Sequence, residues 1–486
     1  MSLVTALIAG CVSLKLYSRY IPVEVYGVVV VALQILGYLP FLDGGFRTTT
    51  NREILANGTR EGKLRMIRFA QTFYSHFTLL LVPLSLLLMA GYSLTPNVTH
   101  AGQPRLFFLT VGLTGAISLL GWAQIELLIG LGEQANFFLM NVVNSGGTLG
   151  TLWLCLHLGL GIWAFPFSTL GGVCAYYPVA VWLIRRKEPA IQFFCFHAGA
   201  EFWEDFSRLW RDALSCVRQQ VSVLFLYSLD LVMVGLICGS AKDAAIYAIV
   251  SRLIGLLRSM LQATAEAAWP LVAQTNGTDH LFAAFLLRSN GWTMGGAAGA
   301  VLLTLRPFLS LYMGAQWAPP QILVVLLTGR LLITGIGAPA SYLLMGAGHF
   351  KTVARYTQRE LIAATFLGML LGGKFGMIGV AAGFLAATAF GSLSPFFYAY
   401  GRSVNRSGGL FMWQAWWRGA TACAVSGSVA AILLPFAQGT WQIFTVAAVA
   451  ALSALAMGFA ICVFRFRSTG TGGTFNSRMR EVMANI

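Results

Sequence analysis

Residues 320–346 read PQILVVLLTGRLLITGIGAPASYLLMG, an almost wholly apolar run broken by one charge, Arg330. A helix needs about 20 mostly apolar residues to cross about 30 Å of hydrocarbon, so this stretch is long enough to span a bilayer. The same ruler, moved along the 486 residues, finds fourteen such spans. They are 1–18, 24–45, 67–92, 106–131, 137–157, 161–184, 213–238, 244–270, 283–312, 320–346, 358–373, 377–400, 414–436 and 441–464. Short turns with Gly, Pro or Asn separate several of them, notably Gly159–Gly161 and Gly372–Gly376. The first span has no basic segment ahead of it and no small-residue cleavage site behind it, so it reads as a helix and not as a secretion signal.

Composition supports that reading. Hydrophobic residues make up 57% of the chain and charged residues 10%, and mean hydropathy is +0.72. A soluble domain carries about 25% charged residues. A disordered chain, a disulfide scaffold and an ordinary soluble enzyme are therefore excluded. The eight cysteines are scattered through apolar runs with no paired spacing and read as small hydrophobes. No phosphate-binding loop or metal-ligand spacing of histidines occurs, and the sequence calls for no cofactor and no metal.

The net charge of +15 is explained by topology. With the amino terminus placed inside, the inner segments hold twenty-three Lys and Arg and the outer ones six. Basic residues collect on the cytoplasmic side of membrane proteins, so the excess requires no nucleic acid partner, and both termini are expected to be cytoplasmic. Between spans six and seven, Phe202, Trp203, Phe206, Leu209 and Trp210 recur at helical spacing opposite charged residues. This segment is expected to lie as an amphipathic helix in the headgroup layer.

A weak internal repeat accompanies these spans. Tyr26-Gly27-Val28 opens span two and Tyr247-Ala248-Ile249 opens span eight, while Gly161-Ile162 and Gly376-Met377 open spans six and twelve. The offsets are each about six spans, which suggests two lobes with the same orientation across the membrane.

On these stretches, together with Leu42-Asp43-Gly44-Gly45-Phe46, Leu229-Asp230-Leu231-Val232-Met233-Val234-Gly235, Ala268-Trp269-Pro270 and Tyr342-Leu343-Leu344-Met345-Gly346-Ala347-Gly348, the chain resembles a family. It is similar to the polysaccharide transporters (O-antigen and exopolysaccharide flippases) of the multidrug/oligosaccharidyl-lipid/polysaccharide (MOP) flippase superfamily. The resemblance implies an all-α polytopic protein with two six-helix lobes working by alternating access, and a lipid-linked oligosaccharide as substrate. The expected parts are residues 1–184, an amino-terminal lobe; 185–212, an amphipathic linker; 213–400, a carboxy-terminal lobe; 401–464, an extra helix pair; and 465–486, a tail. Glycan polymerase machinery would be a partner, and a bacterial inner membrane the location. Two other readings stand beside this one, a cation-coupled multidrug exporter of the same superfamily and a membrane enzyme of glycan assembly.

Charges inside spans single out the candidate site, because each costs about 2.5–3.5 kcal/mol to insert. Arg258 lies near the middle of span eight and Arg330 near the middle of span ten, with Arg252 closer to an interface. Gln262 shares a face of span eight with Ser251, Ser259 and Glu266. Arginine stays ionised at low dielectric and grips phosphate through a planar fork, so Arg258, Arg330, Arg252 and Gln262 are the expected substrate contacts. Glu126, Asp230 and Glu266 are expected to couple transport to an ion or to pair with the arginines. Glu360, beside Arg359 at a span edge, reads as a surface ion pair, and Asp43 as a helix cap or loop ion pair. The charge asymmetry predicts that a lone cysteine at Asn97 reacts with an impermeant thiol reagent from outside intact cells, while one at Lys187 does not. Labelling in the opposite sense overturns the orientation.

Overall fold

In hydrocarbon a backbone amide has no water to bond, so a spanning chain must satisfy its own N–H and C=O groups, which favours helices. The computed structural model describes residues 2–43, 46–56, 59–95, 98, 104–131, 133–187, 199–267, 280–347 and 349–468, with some side chains within these ranges also left undescribed. All regular elements among the described residues are helical. The chain is an all-α polytopic membrane protein, and it divides into two compact units, Met1–Ala245 and Ile246–Ile486.

The first unit contains α1 (Ser2–Tyr20), α2 (Val23–Leu36), a 3-10 turn (Leu39–Asp43), α3 (Phe46–Ala56), α4 (Arg60–Ser93), α5 (Arg105–Gly130), α6 (Gln134–His157), α7 (Ala164–Lys187) and α8 (Ala200–Ile237). The second contains most of α9 (Ala241–Ala267), then α10 (His280–Met313), α11 (Gln321–Gly346), α12 (Phe350–Thr388), a π-helical turn (Ala389–Leu393), α13 (Ser394–Ser403), α14 (Gly408–Leu433) and α15 (Thr440–Ser468). Among the described residues seven runs are long and apolar enough to cross a membrane by themselves, and one of these, Lys351–Ser403, is long enough for two passes.

That double pass turns on one residue. At 1.5 Å per residue an unbroken 39-residue α12 would extend about 58 Å, nearly twice the hydrocarbon thickness. Gly376 breaks it, with φ +61° and ψ −142°, a conformation closed to residues bearing a Cβ. The two arms then run back along each other at close range. A Cβ on Gly379 would collide with the carbonyl of Leu371, and one on Gly383 with the amide of Gly368. Gly161, the repeat counterpart of Gly376, also has positive φ, at +53°.

Apolar side chains gain little by leaving lipid for protein, so helices here associate through close packing of small residues. On α10, Gly291, Gly295 and Gly299 follow at four-residue intervals. A Cβ on any of them would strike a backbone carbonyl of α14, those of Ala415, Gly419 and Cys423 respectively. In the first unit α6 and α7 meet in the same way, Gly147 against Ala175 and Gly171 against Thr151. Several residues of the stretches that carry the family resemblance are packing residues of this kind. Tyr26 is buried beside Tyr17 and Phe165, Gly27 admits the Ala241 carbonyl, and Gly235 admits Val31. Gly44, Gly45 and Ala268-Trp269-Pro270 lie outside the described residues.

The amphipathic segment differs from its expectation. It is the first third of α8, continuous with the apolar part, and only some of its aromatics are exposed. Trp203 and Trp210 are exposed, whereas Leu209 is buried and Phe202 and Phe206 pack into the core of the first unit. Phe206 stacks on Phe46 at 4.9 Å and Phe202 on Phe69 at 5.2 Å. The Phe202 and Phe206 side of the apolar face is thus covered by α3 and α4, while Trp203 and Trp210 stay exposed. Among the cysteines Cys155 is buried as expected, but Cys174 is exposed.

Glycine packing is testable one residue apart. At Gly147 a Cβ would stand 2.5 Å from the Ala175 Cβ, while at Gly146 it would meet nothing within 4 Å. Overpacking costs about 1–3 kcal/mol or more. Gly147→Leu is expected to lower membrane abundance and the thermal unfolding midpoint, with Gly146→Leu close to wild type. Equal tolerance of both would contradict the α6–α7 register.

Candidate functional site

Charged residues of the first unit gather into an ion-pair cluster that ties α4 to α8. Arg65 donates from Nε to Asp205 Oδ2 at 2.8 Å and from Nη2 to Glu204 Oε2 at 3.0 Å. Arg208 approaches the other oxygen of Asp205 at 3.2 Å. The Asp205 side chain is only 3% exposed, so its charge is held by two guanidinium groups and by burial among them. Hydrogen bonds from Arg65 to Asp205 and then Glu204 raise the guanidinium pKa above its already high ordinary value. Separately, Lys187 at the end of α7 meets Glu133, ahead of α6, at 2.6 Å. The Lys187 hydrogen bond is the main cause holding the Glu133 carboxyl below its ordinary range. Four segments expected on one side of the membrane are thus joined pairwise, α4 with α8 and the α5–α6 turn with α7.

The sequence-predicted site residues are distributed as follows. Arg330 sits on α11 and is buried, 7% exposed, with its guanidinium carbon 4.9 Å from the centre of the Phe384 ring on the second arm of α12. The contact follows from helix register, since Gly329 next to it faces Leu385 and Gly337, two turns on, faces Leu393. Arg258 lies half-buried on α9, and Arg252 is exposed. All three arginines belong to the second unit. Asp230 belongs to the first, on α8, where it is buried and accepts a hydrogen bond from the Leu231 amide at 2.8 Å. The side chains of Gln262, Glu266 and Glu126 lie outside those described. Asp43 accepts a hydrogen bond from the Tyr74 hydroxyl at 3.0 Å.

Two buried charges stand where the sequence suggested surface. Glu360 is 2% exposed, not a surface partner of the exposed Arg359. Its backbone packs on the π-helical turn, where a Cβ on Gly391 would stand 2.9 Å from the Glu360 Cα. Arg418, counted with the cytoplasmic charges, is 3% exposed and lies well inside α14. Both fall inside the spans drawn from hydropathy but within a few residues of their starts, where a charge reads as a surface group, and the helices begin earlier than those spans. α14 starts at its cap Ser407, whose Oγ accepts from the Leu410 amide at 3.4 Å, and α12 starts at Phe350. The signal was the capping serine before Gly408-Gly409, and the regular spacing of Lys351, Arg355 and Arg359 on one helical stripe with Val353, Thr357 and Glu360 on another.

No protein-family model matches the sequence, and comparison with curated proteins finds no relative at sequence level. Solved structures do match. One is the lipid II flippase MurJ in an inward closed conformation, with TM-score 0.68, 14% identity, and coverage of 96% of this chain and 98% of that one. The chain has the fold of MOP-superfamily transporters. A multidrug resistance MATE transporter of that superfamily, facing inward, matches with TM-score 0.59 and 15% identity over 83% of this chain and 95% of its own. The eukaryotic MATE transporter AtDTX14 follows with TM-score 0.52 and 15% identity over 86% and 100%. At such identities the likeness concerns the fold, and it agrees with about 14 membrane helices.

Proposed function

We propose that this protein flips a polyprenyl-diphosphate oligosaccharide across a bacterial plasma membrane by alternating access, supplying surface polysaccharide biosynthesis, with both termini cytoplasmic. The observation that carries the proposal is Arg330, a guanidinium kept in the interior of the second unit and seated on the Phe384 ring. An intramembrane arginine is expensive and is retained where it does work. Stacking on an aromatic face holds the guanidinium plane, and the N–H donors along the edge of such a plane are the groups that grip an oxyanion. In low dielectric that grip is worth far more than in water. Arg258, with Gln262 one turn along α9, would share the diphosphate. Buried Asp230 and the carboxylates Glu126 and Glu266 are the groups available to respond to a cation or proton.

The extent of the structural matches supports a lipid-linked substrate. The flippase match covers 96% of this chain and the inward-facing MATE match 83%, a difference about the size of the α14–α15 pair. A multidrug exporter remains the competing reading because the MATE folds also match, but a buried guanidinium repels the organic cations that such an exporter would carry.

Replacing Arg330 or Arg258 with Ala is expected to lower surface-glycan export by about tenfold or more, the scale of losing a charge-assisted hydrogen bond, with membrane abundance near wild type. Lysine restores only part of the export, since it keeps the charge and loses the fork. Unchanged export in both Ala variants, at normal abundance, would rule out this site.

A further inference from the structure

Helix α11 carries a breakpoint a short way beyond Arg330. Pro339 stands inside the helix and has no N–H, so the carbonyl four residues back, that of Gly335, has no donor within the helix. Such a group is costly in hydrocarbon, where water does not compensate it. The donor comes from α10: the Asn290 side chain donates from Nδ2 to the Gly335 carbonyl. Asn290 is 5% exposed, and its Oδ1 is buried with no hydrogen-bond partner. The two helices come this close because residue 335 has no side chain. A Cβ there would stand 2.5 Å from Met294, one turn after Asn290 on α10. A Cβ on Gly337 would stand 2.9 Å from the Leu393 Cδ1, in the π-helical turn, a kind of irregularity common at functional sites.

Packing alone does not account for an asparagine here. Leucine has a similar volume and would bury no unbonded acceptor, a cost that Asn290 brings with it. The carbonyl also fixes which way the amide points, since turning it over would set two oxygens against each other. What asparagine adds is a bond to the one backbone position where α11 lacks its own. The two parts of α11 that meet there are held differently. Beyond the joint, Ala340, Leu343 and Leu344 are buried in a core with Leu287 and Phe397. Before it, Arg330 reaches the Phe384 ring at 4.9 Å, and Gln321 Nε2 donates to the Leu302 carbonyl of α10 at 2.8 Å. Leu302 lies four residues before Arg306 within α10, so its carbonyl is in reach of that amide as well, and the Gln321 tie is an addition and not a replacement. Arg330 precedes Gly335 by five residues, about 7.5 Å of helix. A change in bend of about 20°, the size of a sharp kink, would move it about 2.5 Å, enough to lift the guanidinium off the ring.

We propose that Asn290 is a positioning residue: its amide, bonded to the carbonyl that Pro339 leaves without a helical donor, sets the bend of α11 and thereby holds Arg330 over Phe384. The functional meaning of this clasp rests on the reading of Arg330 as a substrate contact, whereas the bend itself does not depend on what is transported.

The test reads the bend without substrate. Spin labels are placed at Val325 on α11 and Ile432 on α14, both exposed, in the full chain with its eight native cysteines replaced. Their separation is measured by pulsed electron paramagnetic resonance in lipid bilayers, with α14 as the reference because its backbone is locked to α10 at Gly291, Gly295 and Gly299. Val325 lies about 15 Å of helix before the joint, so a 20° change displaces it about 5 Å. Asn290→Leu is expected to shift or split the distance on that scale. Pro339→Ala returns an N–H to the helix, so in that background Asn290→Leu should change nothing, while Gln321→Leu should act equally with Pro339 or Ala at that position. An unchanged distance in Asn290→Leu overturns the proposal, and so does an equal shift when residue 339 is Ala. If Asn290→Leu accumulates poorly, its abundance is compared across the same pair of backgrounds: recovery with Pro339→Ala supports the clasp, and continued loss overturns it. A wrong assignment of Arg330 to the substrate leaves all these readings unaltered and shows instead in the binding of the diphosphate lipid.

Discussion

Hydrocarbon offers no hydrogen bond to a backbone and little attraction between apolar helices, and the structure depends on that dual constraint. The first half forces the chain into helices. The second half means that helices hold together only where they touch closely, which is why α14 is locked to α10 by carbonyls lying directly over Gly291, Gly295 and Gly299. The same constraint acts on charge. Arg330, Arg418, Asp230 and Glu360 are each no more than 7% exposed, and a chain with only 10% charged residues keeps them at positions where helices converge.

Much of the fold was legible because both rules leave marks on composition. Span length follows from apolar run length, and the α12 reversal was readable from Gly372–Gly376, since only glycine accepts the conformation Gly376 adopts. At the positions that the sequence pairs across its weak repeat, Tyr26 and Tyr247 are both fully packed and Gly161 and Gly376 both have positive φ. What sequence could not supply was the partner of each amphipathic face. Phe202 and Phe206 have the spacing of a membrane-surface helix, and nothing in that spacing reveals that Phe46 and Phe69 are there to cover them.

The candidate site was legible in part for a related reason. Arg330 stands out because its run contains no other charge, and its contact with Phe384 joins residues more than fifty positions apart that no local pattern links. Arg418 and Glu360 escaped notice because each lies within a few residues of the start of its apolar span, while the helix itself begins well before that point. A buried charge near the start of a helix looks in sequence like a loop charge. Helix caps such as Ser407 are the better guide to where burial begins.

The proposed transport of an anionic lipid and the competing export of an organic cation call for opposite signs of charge within the membrane. The most direct measurement is therefore equilibrium binding of both ligand classes to the purified protein in lipid bilayers, with Arg330→Glu as the sign-reversed control. A polyprenyl-diphosphate oligosaccharide should bind wild type and lose affinity in the Glu variant, with lipophilic cations competing poorly. Tight binding of the cations by wild type, without affinity for the diphosphate lipid, would contradict a flippase and establish an exporter in its place.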